Sequence, residues 1–513
     1  MKNIFKNRLP LVICLGLSLI HLCITFVTDP HIFLVPASSN VPDYAVCKVL
    51  SFAVLFCFYY GLYLIIFKGI IPAAKSHGET SELYKIFLSA LPYLVVILLI
   101  CAVKLPEGYL TSDETRIVES ALNLQHYTWF YYITTYFYIV SFMLVPIYIG
   151  PIIVKLILEF FVIGYVVYRI KKVLGKPYGY FGYALFLLYP IVAYTTSAHR
   201  LPIYFLLYLL MMVILIFDGI EKVVLSPSKA FFLLFLGAIL TQWRTEGIYL
   251  APVVPVLMLF TYSNIRKIKP VLLVIVSTIF IQYVISIPQN GIVASEMSAA
   301  ADDRMKPFYA YTITNMFRNG LDEEKNAEDL YIVDKYLSID KIKAINEYYG
   351  DINYEDVLIL YTPEYIGIRD EATVTDFFNY ANALKRIFVN NVDVLLKTRI
   401  GAFCYAALPY HPETNSGIVS LGISLVKSVL YNLFIPLAII LIIFIYSLFR
   451  KRWFTFILSI GVLAHWFIVF VLAPASYFKY YFPIYVMAYF YLLMIIITFI
   501  YNKKKDEKIT ILR

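Results

Sequence analysis

Charge is scarce in this chain. Asp, Glu, Lys and Arg make up 15% of its 513 residues, against 61% hydrophobic. So few charges cannot coat a soluble particle of this length, which excludes an ordinary soluble enzyme. Cysteine is scarce too. Of six, Cys14, Cys23, Cys47, Cys57 and Cys101 lie in or beside apolar runs, and Cys404 stands alone. No pair has the spacing of a zinc site or a disulfide framework. The formal charge is +9, but the basic residues flank apolar runs and form no separate arm, which excludes a nucleic-acid partner. No internal repeat is discernible.

What the chain has is apolar length and aromatic rings. Its 39 Phe and 46 Tyr suit two interfacial belts. A span needs about 20 apolar residues, and about twelve segments qualify. They are 9–28, 46–67, 84–103, 151–170, 178–197, 201–219, 230–246, 247–262, 270–288, 425–447, 453–473 and 483–501. "VPASS" follows the first, but the run is long for a cleaved signal and the cleavage pattern poor. Lys and Arg set the orientation. Lys2, Lys6 and Arg8, the 68–85 loop, Arg169 to Lys176, Arg266 to Lys269, Arg450 to Arg452 and the tail "NKKKDEK" fall on one side, taken as cytoplasmic. Single cations, Lys104, Arg116, Arg200, Arg244 and Lys479, fall on the other. The apolar segment 131–149 breaks this alternation if it crosses, so it is expected to lie in the outer interface or to re-enter.

The expected fold is therefore an all-α polytopic membrane protein. Residues 1–288 form an N-terminal bundle with an outer loop at 104–130. Residues 289–424, holding 20 of the 34 acidic residues, form a mixed, mostly helical extracytoplasmic domain. Within it "DVLILYT" reads as a short strand. Residues 425–513 return as spans and a basic tail. Richness in Ile, Lys, Tyr and Phe is associated with low-GC bacteria, so the expected location is a bacterial plasma membrane with both termini cytoplasmic.

Several polar groups are expected at the outer face. In "YLTSDETRIVES", Thr111-x-x-Glu114 has the form of a capping box. Ile117, Val118, Ala121 and Leu122 then share one face of an amphipathic helix. Capping accounts for Glu114 but leaves Asp113 without a structural task. "TSAHRLPIY" places His199 and Arg200 between spans, where interfacial anchoring is the plainer account. In "LTQWRTEGIYL", Arg244, Glu246 and Gly247 interrupt an apolar stretch, where charge is costly and usually faces a bundle interior or a wet cavity. A mutual turn-forming pair is the alternative. Lys479 stands among Tyr477, Tyr480 and Tyr481, in keeping with an aromatic belt. Lys155 and Glu159 have ion-pair spacing, and His21 and His465 read as helix–helix hydrogen-bonding residues. Each has a structural explanation alone. Together they place an acid, several cations and many tyrosines at one depth, which suits a lipid-linked phosphate and a sugar-like hydroxyl partner.

In these residues the chain resembles the GT-C superfamily of integral-membrane glycosyltransferases, and is similar to the branch of protein O-mannosyltransferases and lipid A aminoarabinose transferases. The resemblance rests on the acidic pair Asp113-Glu114 followed by Ala121, on Arg244-x-Glu246-Gly247 at a span end, and on Lys479-Tyr480 with Pro483. The last stands where the family commonly has Arg-Tyr, and three spans precede the acidic loop where the family usually has one. The resemblance implies a GT-C-like bundle and transfer of a sugar from a polyprenyl-phosphate carrier to a glycan, lipid or protein hydroxyl. It implies Asp113 as general base or acceptor-positioning residue with Glu114 beside it. It implies Arg244, with Arg200 or Lys479, as the phosphate clamp. Glu246 would orient Arg244 or meet a sugar hydroxyl, with His199, Tyr477 and Tyr480 lining the substrate. Some members hold a divalent cation near the acidic loop, so a metal ion is the one cofactor the resemblance leaves open.

Other classes stay open. A transporter or flippase would carry ionisable groups at the midplane. A surface-polysaccharide polymerase or ligase would draw on arginines of the large outer domain, here Arg304, Arg318 and Arg369. A non-catalytic membrane scaffold is the remaining possibility.

Overall fold

Lipid offers no hydrogen bonds, so an apolar chain must satisfy its backbone within helices or a closed barrel. A computed structural model describes residues 2–33, 41–67, 82–104, 112–126, 130–195, 199–293, 305–349, 354, 367–409 and 418–505. These are helical throughout apart from short connections, and the only β pairing among them is an isolated antiparallel bridge between Leu337 and Ile368. The segment expected as a strand, 356–362, lies outside the described residues.

Nine helices among the described residues are long and apolar enough to cross a membrane. They are Leu9–Ile32, Pro42–Ile65, Glu82–Val103, Gly150–Leu174, Leu201–Glu221, Ile268–Asn290, Gly422–Phe449, Trp453–Leu472 and Phe478–Lys503. This is the architecture of an all-α, multi-pass membrane protein. Three further apolar segments take other forms. Residues 178–197 are broken into Lys176–Gly179, Gly182–Phe186 and Tyr189–Thr195. Glycine and proline at Gly175, Pro177, Gly179, Gly182 and Pro190 interrupt helix propagation there. Pro227–Trp243 runs for 17 residues and stops where Arg244 turns extended. Beyond it a 3₁₀ turn, Thr245–Tyr249, leads into Leu250–Thr261. Segment 131–149, expected at the outer interface or re-entering, is not among the nine long apolar helices. It contains Tyr132–Leu144, 13 residues long and mostly buried.

The chain divides into two compact units. The first comprises Met1–Gln289, Ser447–Leu458 and Tyr489–Arg513. Within it, Gly164 lets helix Gly150–Leu174 approach Glu82–Lys104 closely, because a Cβ there would strike Ala90. Leu201–Glu221 is buried almost along its length. A polar network fastens one end of these helices. Asp218 accepts from Arg169 at 3.0 Å, from Lys229 at 2.7 Å and from Tyr262 at 2.7 Å. Lys172 bridges Glu82 and Glu221, each at 3.1 Å. The two N-terminal helices are joined by a buried Lys48–Asp29 ion pair, by Tyr44 donating to Asp29 at 2.6 Å, and by His21 meeting the Tyr59 hydroxyl at 3.1 Å.

The second unit comprises Asn290–Tyr446 and Ser459–Ala488. Its core gathers Tyr309, Tyr311, Tyr336, Phe377, Tyr380 and Leu384 from several short helices. The stretch "EDLYIVDKYLSIDKIKAINEYY", residues 328–349, has helical spacing throughout, and the structure splits it between Ala327–Asp334 and Ile339–Tyr349. At the break Asp334 accepts from the Ile339 N–H at 2.9 Å, and the Ser338 N–H donates to the Gly367 carbonyl at 2.8 Å. A capping box, Thr373 with Asp376, opens Val374–Asn390. The following helix, Val392–Ala407, restarts at Asn391, whose side-chain amide donates to Asn326 at 2.9 Å.

Candidate functional site

The acidic helix is Ser112–Leu122. Its buried residues are Glu114, Ile117, Val118 and Ala121, so Glu114 heads the apolar face instead of standing on the solvent face. Only 3% of Glu114 is exposed. Its Oε1 lies 3.1 Å from Nδ1 of His199. Thr111 lies outside the described residues, and so does the side chain of Asp113. The capping partnership and the orientation of Asp113 therefore remain expectations from sequence.

Behind this pair lie two further buried ionisable groups. Lys155 and Glu159 sit one turn apart on Gly150–Leu174, each 1% exposed. The charges of Glu159 and Glu114 both act on Lys155, while the Thr195 hydroxyl donates to the Ile191 carbonyl at 2.8 Å. The spacing placed Lys155 and Glu159 on one face of their helix. It could not show that Glu114 joins them, because that depends on how two distant helices meet.

His199 and Arg200 precede helix Leu201–Glu221. The Tyr194 ring lies 5.3 Å from the His199 ring. The Arg200 guanidinium stacks 3.4 Å above the Phe130 ring, an apolar and cation–π seat for the charge. The Arg200 carbonyl accepts from the Trp243 indole at 3.2 Å. That bond brings the end of Pro227–Trp243, and Arg244 after it, beside the His199–Arg200 turn.

Arg244 is extended between two helices, and its guanidinium is held by Glu246. Nε donates to both carboxylate oxygens at 3.1 Å, and Nη2 donates to Oε1. The Thr245 hydroxyl donates to Glu246 at 3.2 Å. Gly247 makes the turn possible, since a Cβ there would collide with the Leu240 carbonyl. The charges of Glu246 and Arg244 reach the buried Tyr204 hydroxyl, which belongs to a cluster with Tyr208 and Tyr249. These three tyrosines escaped the sequence reading; they sit in apolar helices, and only burial sets them apart from belt tyrosines.

In the first unit the structure thus gathers Glu114, His199, Arg200, Arg244 and Glu246. In the second unit Lys479 lies 4.9 Å from the Tyr477 ring and 6.0 Å from that of Tyr480. The residues behind the polymerase reading are occupied by the fold where they are described. Arg369 pairs with Asp334 at 2.7 Å, and Arg318 donates to Asn315 at 3.0 Å. Arg304 lies outside the described residues.

The first unit also has two recesses. An apolar cavity of about 410 Å³ is lined by Phe58, Leu62, Leu158, Phe161, Tyr165 and Ile214 among others. Tyr165 accepts from Arg169 at 2.7 Å, so the cavity lies toward the Arg169 end of its helix. A small polar recess is lined by Asp43, Gln125, His126, Tyr132 and Tyr136, with room for about one water. Tyr132 there donates to Asp43 at 2.9 Å. As for a metal, no group of three or more His, Cys, Asp or Glu side chains among the described residues could hold one. Glu114 and His199 alone fall short of a ligand set. No family model, curated protein or solved structure matches the chain.

Proposed function

We propose that this chain is a GT-C-like membrane glycosyltransferase that moves a sugar from a polyprenyl-phosphate carrier to a hydroxyl acceptor at the outer face of the membrane. The observation that carries the reading is the fixed Arg244 turn. A guanidinium clamped by Glu246 beside the His199–Arg200 turn, with the buried Glu114 on His199, puts cations and a carboxylate at neighbouring helix ends. Such a set, in a region where charge is costly, is more than anchoring needs.

In the proposed reaction the acceptor oxygen attacks the anomeric carbon while the bond from that carbon to the phosphate oxygen breaks. Asp113 accepts the acceptor proton. Negative charge growing on the departing polyprenyl phosphate is met by Arg244 and Arg200, whose donors are already oriented. Glu246 keeps the planar Arg244 fork aimed. Glu114 holds His199, and with it the turn that carries Arg200. By the resemblance alone, Lys479, Tyr477 and Tyr480 are proposed to contact a lipid-linked phosphate and its sugar. The proposed orientation leaves both termini cytoplasmic.

The test is a cell lacking the gene, complemented with the native chain or with Asp113→Asn. The reading expects sugar-loaded polyprenyl phosphate to accumulate in the deletion strain and under Asp113→Asn, and to be consumed under the native chain. Equal carrier pools and unchanged surface glycans in all three would overturn it. The transporter reading draws on the buried ionisable groups of spans, Lys48 with Asp29 and Lys155 with Glu159. It expects the lipid-linked sugar to cross a liposome bilayer uncleaved.

A further inference from the structure

Residues 473–481, "APASYFKYY", connect two apolar helices, and only the short 3₁₀ turn Phe478–Tyr481 gives them regular structure. A connection of this kind is ordinarily free to vary. Here it is tied down from neighbouring helices of its own unit. The Arg399 Nη1 donates to the Ala473 carbonyl at 2.8 Å. The Tyr311 and Ser476 hydroxyls bond one another. The His465 Nε2 meets the Tyr480 carbonyl at 3.1 Å. The Phe403 ring, one turn beyond Arg399, packs 5.2 Å from that of Tyr481. Lys479 lies inside this fastened segment.

Arg399 is the unusual member. It is 3% exposed. Its guanidinium meets the Thr312 hydroxyl and the Phe308 and Tyr311 rings, with no carboxylate at ion-pair distance among the described residues, and its Nε has no hydrogen-bond partner. Buried charges are ordinarily paired, because an unpaired one is costly to desolvate. Burial pushes the guanidinium pKa down to about 10, opposed by the Tyr311 and Tyr481 hydroxyls, so the group keeps its charge at neutral pH. A neutral donor could hold the Ala473 carbonyl as well. A retained cation adds what a neutral donor cannot, a positive potential beneath the segment that carries Lys479.

We infer that Arg399 is a positioning residue that fixes the 473–481 segment and, as a second cation behind Lys479, prepares it to receive the phosphate group of a lipid-linked phosphate. This rests on the proposed function for the role of Lys479, but the fastening of the segment does not.

The experiment uses the full chain in nanodiscs, as the native protein, Arg399→Met, Arg399→Lys and Lys479→Ala. Three quantities are read: thermal unfolding, hydrogen exchange of amides 475–481, and affinity for a short polyprenyl phosphate, with inorganic phosphate as a separate ligand. Met matches Arg in reach and removes an uncompensated buried charge, so Arg399→Met should unfold within a few degrees of native. Its 475–481 amides should exchange about tenfold faster or more, and it should bind polyprenyl phosphate at least about tenfold more weakly. Arg399→Lys should restore most of the affinity but not the full protection. Lys479→Ala should lose affinity and keep native exchange. Native exchange together with native affinity in Arg399→Met overturns the inference. Should Arg399→Met fail to fold, Arg399→Lys decides: native exchange there removes the fastening role. Faster exchange in Arg399→Met with no polyprenyl-phosphate binding by the native chain keeps the fastening and overturns the phosphate reading of Lys479. Equal affinity for inorganic phosphate overturns the lipid assignment.

Discussion

Breaking the Arg244–Glu246 pair separates its structural role from its chemical one. The two side chains are 7% and 14% exposed, and three hydrogen bonds join them. At about 3 Å and an effective dielectric near 20, the gross attraction is about 5 kcal/mol. Desolvation of both ions offsets much of it, so the pair as a whole adds little net stability. Removing one partner is different, because it strands the other. That loss is about 3–5 kcal/mol for a fully buried pair, and Glu246 keeps some solvent contact, so about 3 kcal/mol is expected for Arg244→Ala. Arg244→Lys keeps the charge but replaces a fork by a single ammonium, and should fall between. The double variant Arg244→Met/Glu246→Leu removes both charges and should regain most of the stability. Thermal unfolding of each variant measures this, with sugar transfer followed in parallel. Stability should return in the double variant while transfer does not. If Arg244→Ala unfolds like the native chain, the pair does not hold the turn. If the stable double variant transfers at the native rate, the guanidinium is not the phosphate clamp and the proposed function loses its main support.

Other expectations follow from the same geometry. Asp113→Asn should lower transfer by about 10²–10⁴-fold with the fold intact. Glu114→Gln should cost about 1–3 kcal/mol of stability through its buried bond to His199, and the opposite division of effects would reverse the two roles. Gly247→Ala drives a methyl into the Leu240 carbonyl and should destabilise by about 1–3 kcal/mol while displacing Arg244; an unshifted unfolding temperature would contradict the close approach. Burial works to raise the Asp334 pKa, but the Ile339 N–H and the Arg369 guanidinium outweigh it and hold the carboxyl below the usual range. With a depressed folded pKa, its contribution is present above about pH 4 and lost as pH falls through the folded value. The protection factor of the Ile339 amide, the exchange rate of the unstructured peptide divided by its own at the same pH, should therefore fall in acid, and Asp334→Asn should remove that dependence. For topology, single cysteines at Glu119 and Tyr348, in a background without the native six, should react with an impermeant reagent in intact cells; labelling only after lysis would invert the orientation.

The sequence by itself determined the class of fold and the inventory of unusual residues. Apolar runs of span length can be satisfied only as helices, and Lys and Arg asymmetry proposes their sense, so both follow from local composition. The amphipathic helix at Ser112–Leu122 was legible for the same reason: Ile117, Val118 and Ala121 share a face by periodicity alone. So was the Arg244–Glu246 turn, whose partners are two residues apart. The rest was decided by tertiary structure. Segment 131–149 reads in one dimension as interfacial or re-entrant, and only packing shows that Tyr132–Leu144 is mostly covered by other helices. Glu114 fits a capping box, whose Thr111 lies outside the described residues; that its carboxylate also meets His199, 85 positions away in the chain, no local pattern shows. Arg399 carried no signal, because "KTRIGAF" is an ordinary helical stretch; its partners, Thr312 and Ala473, are 87 and 74 residues distant. Local pattern reports which face a residue occupies. It cannot report what packs against that face, and the energetics of a buried charge depend on that second fact.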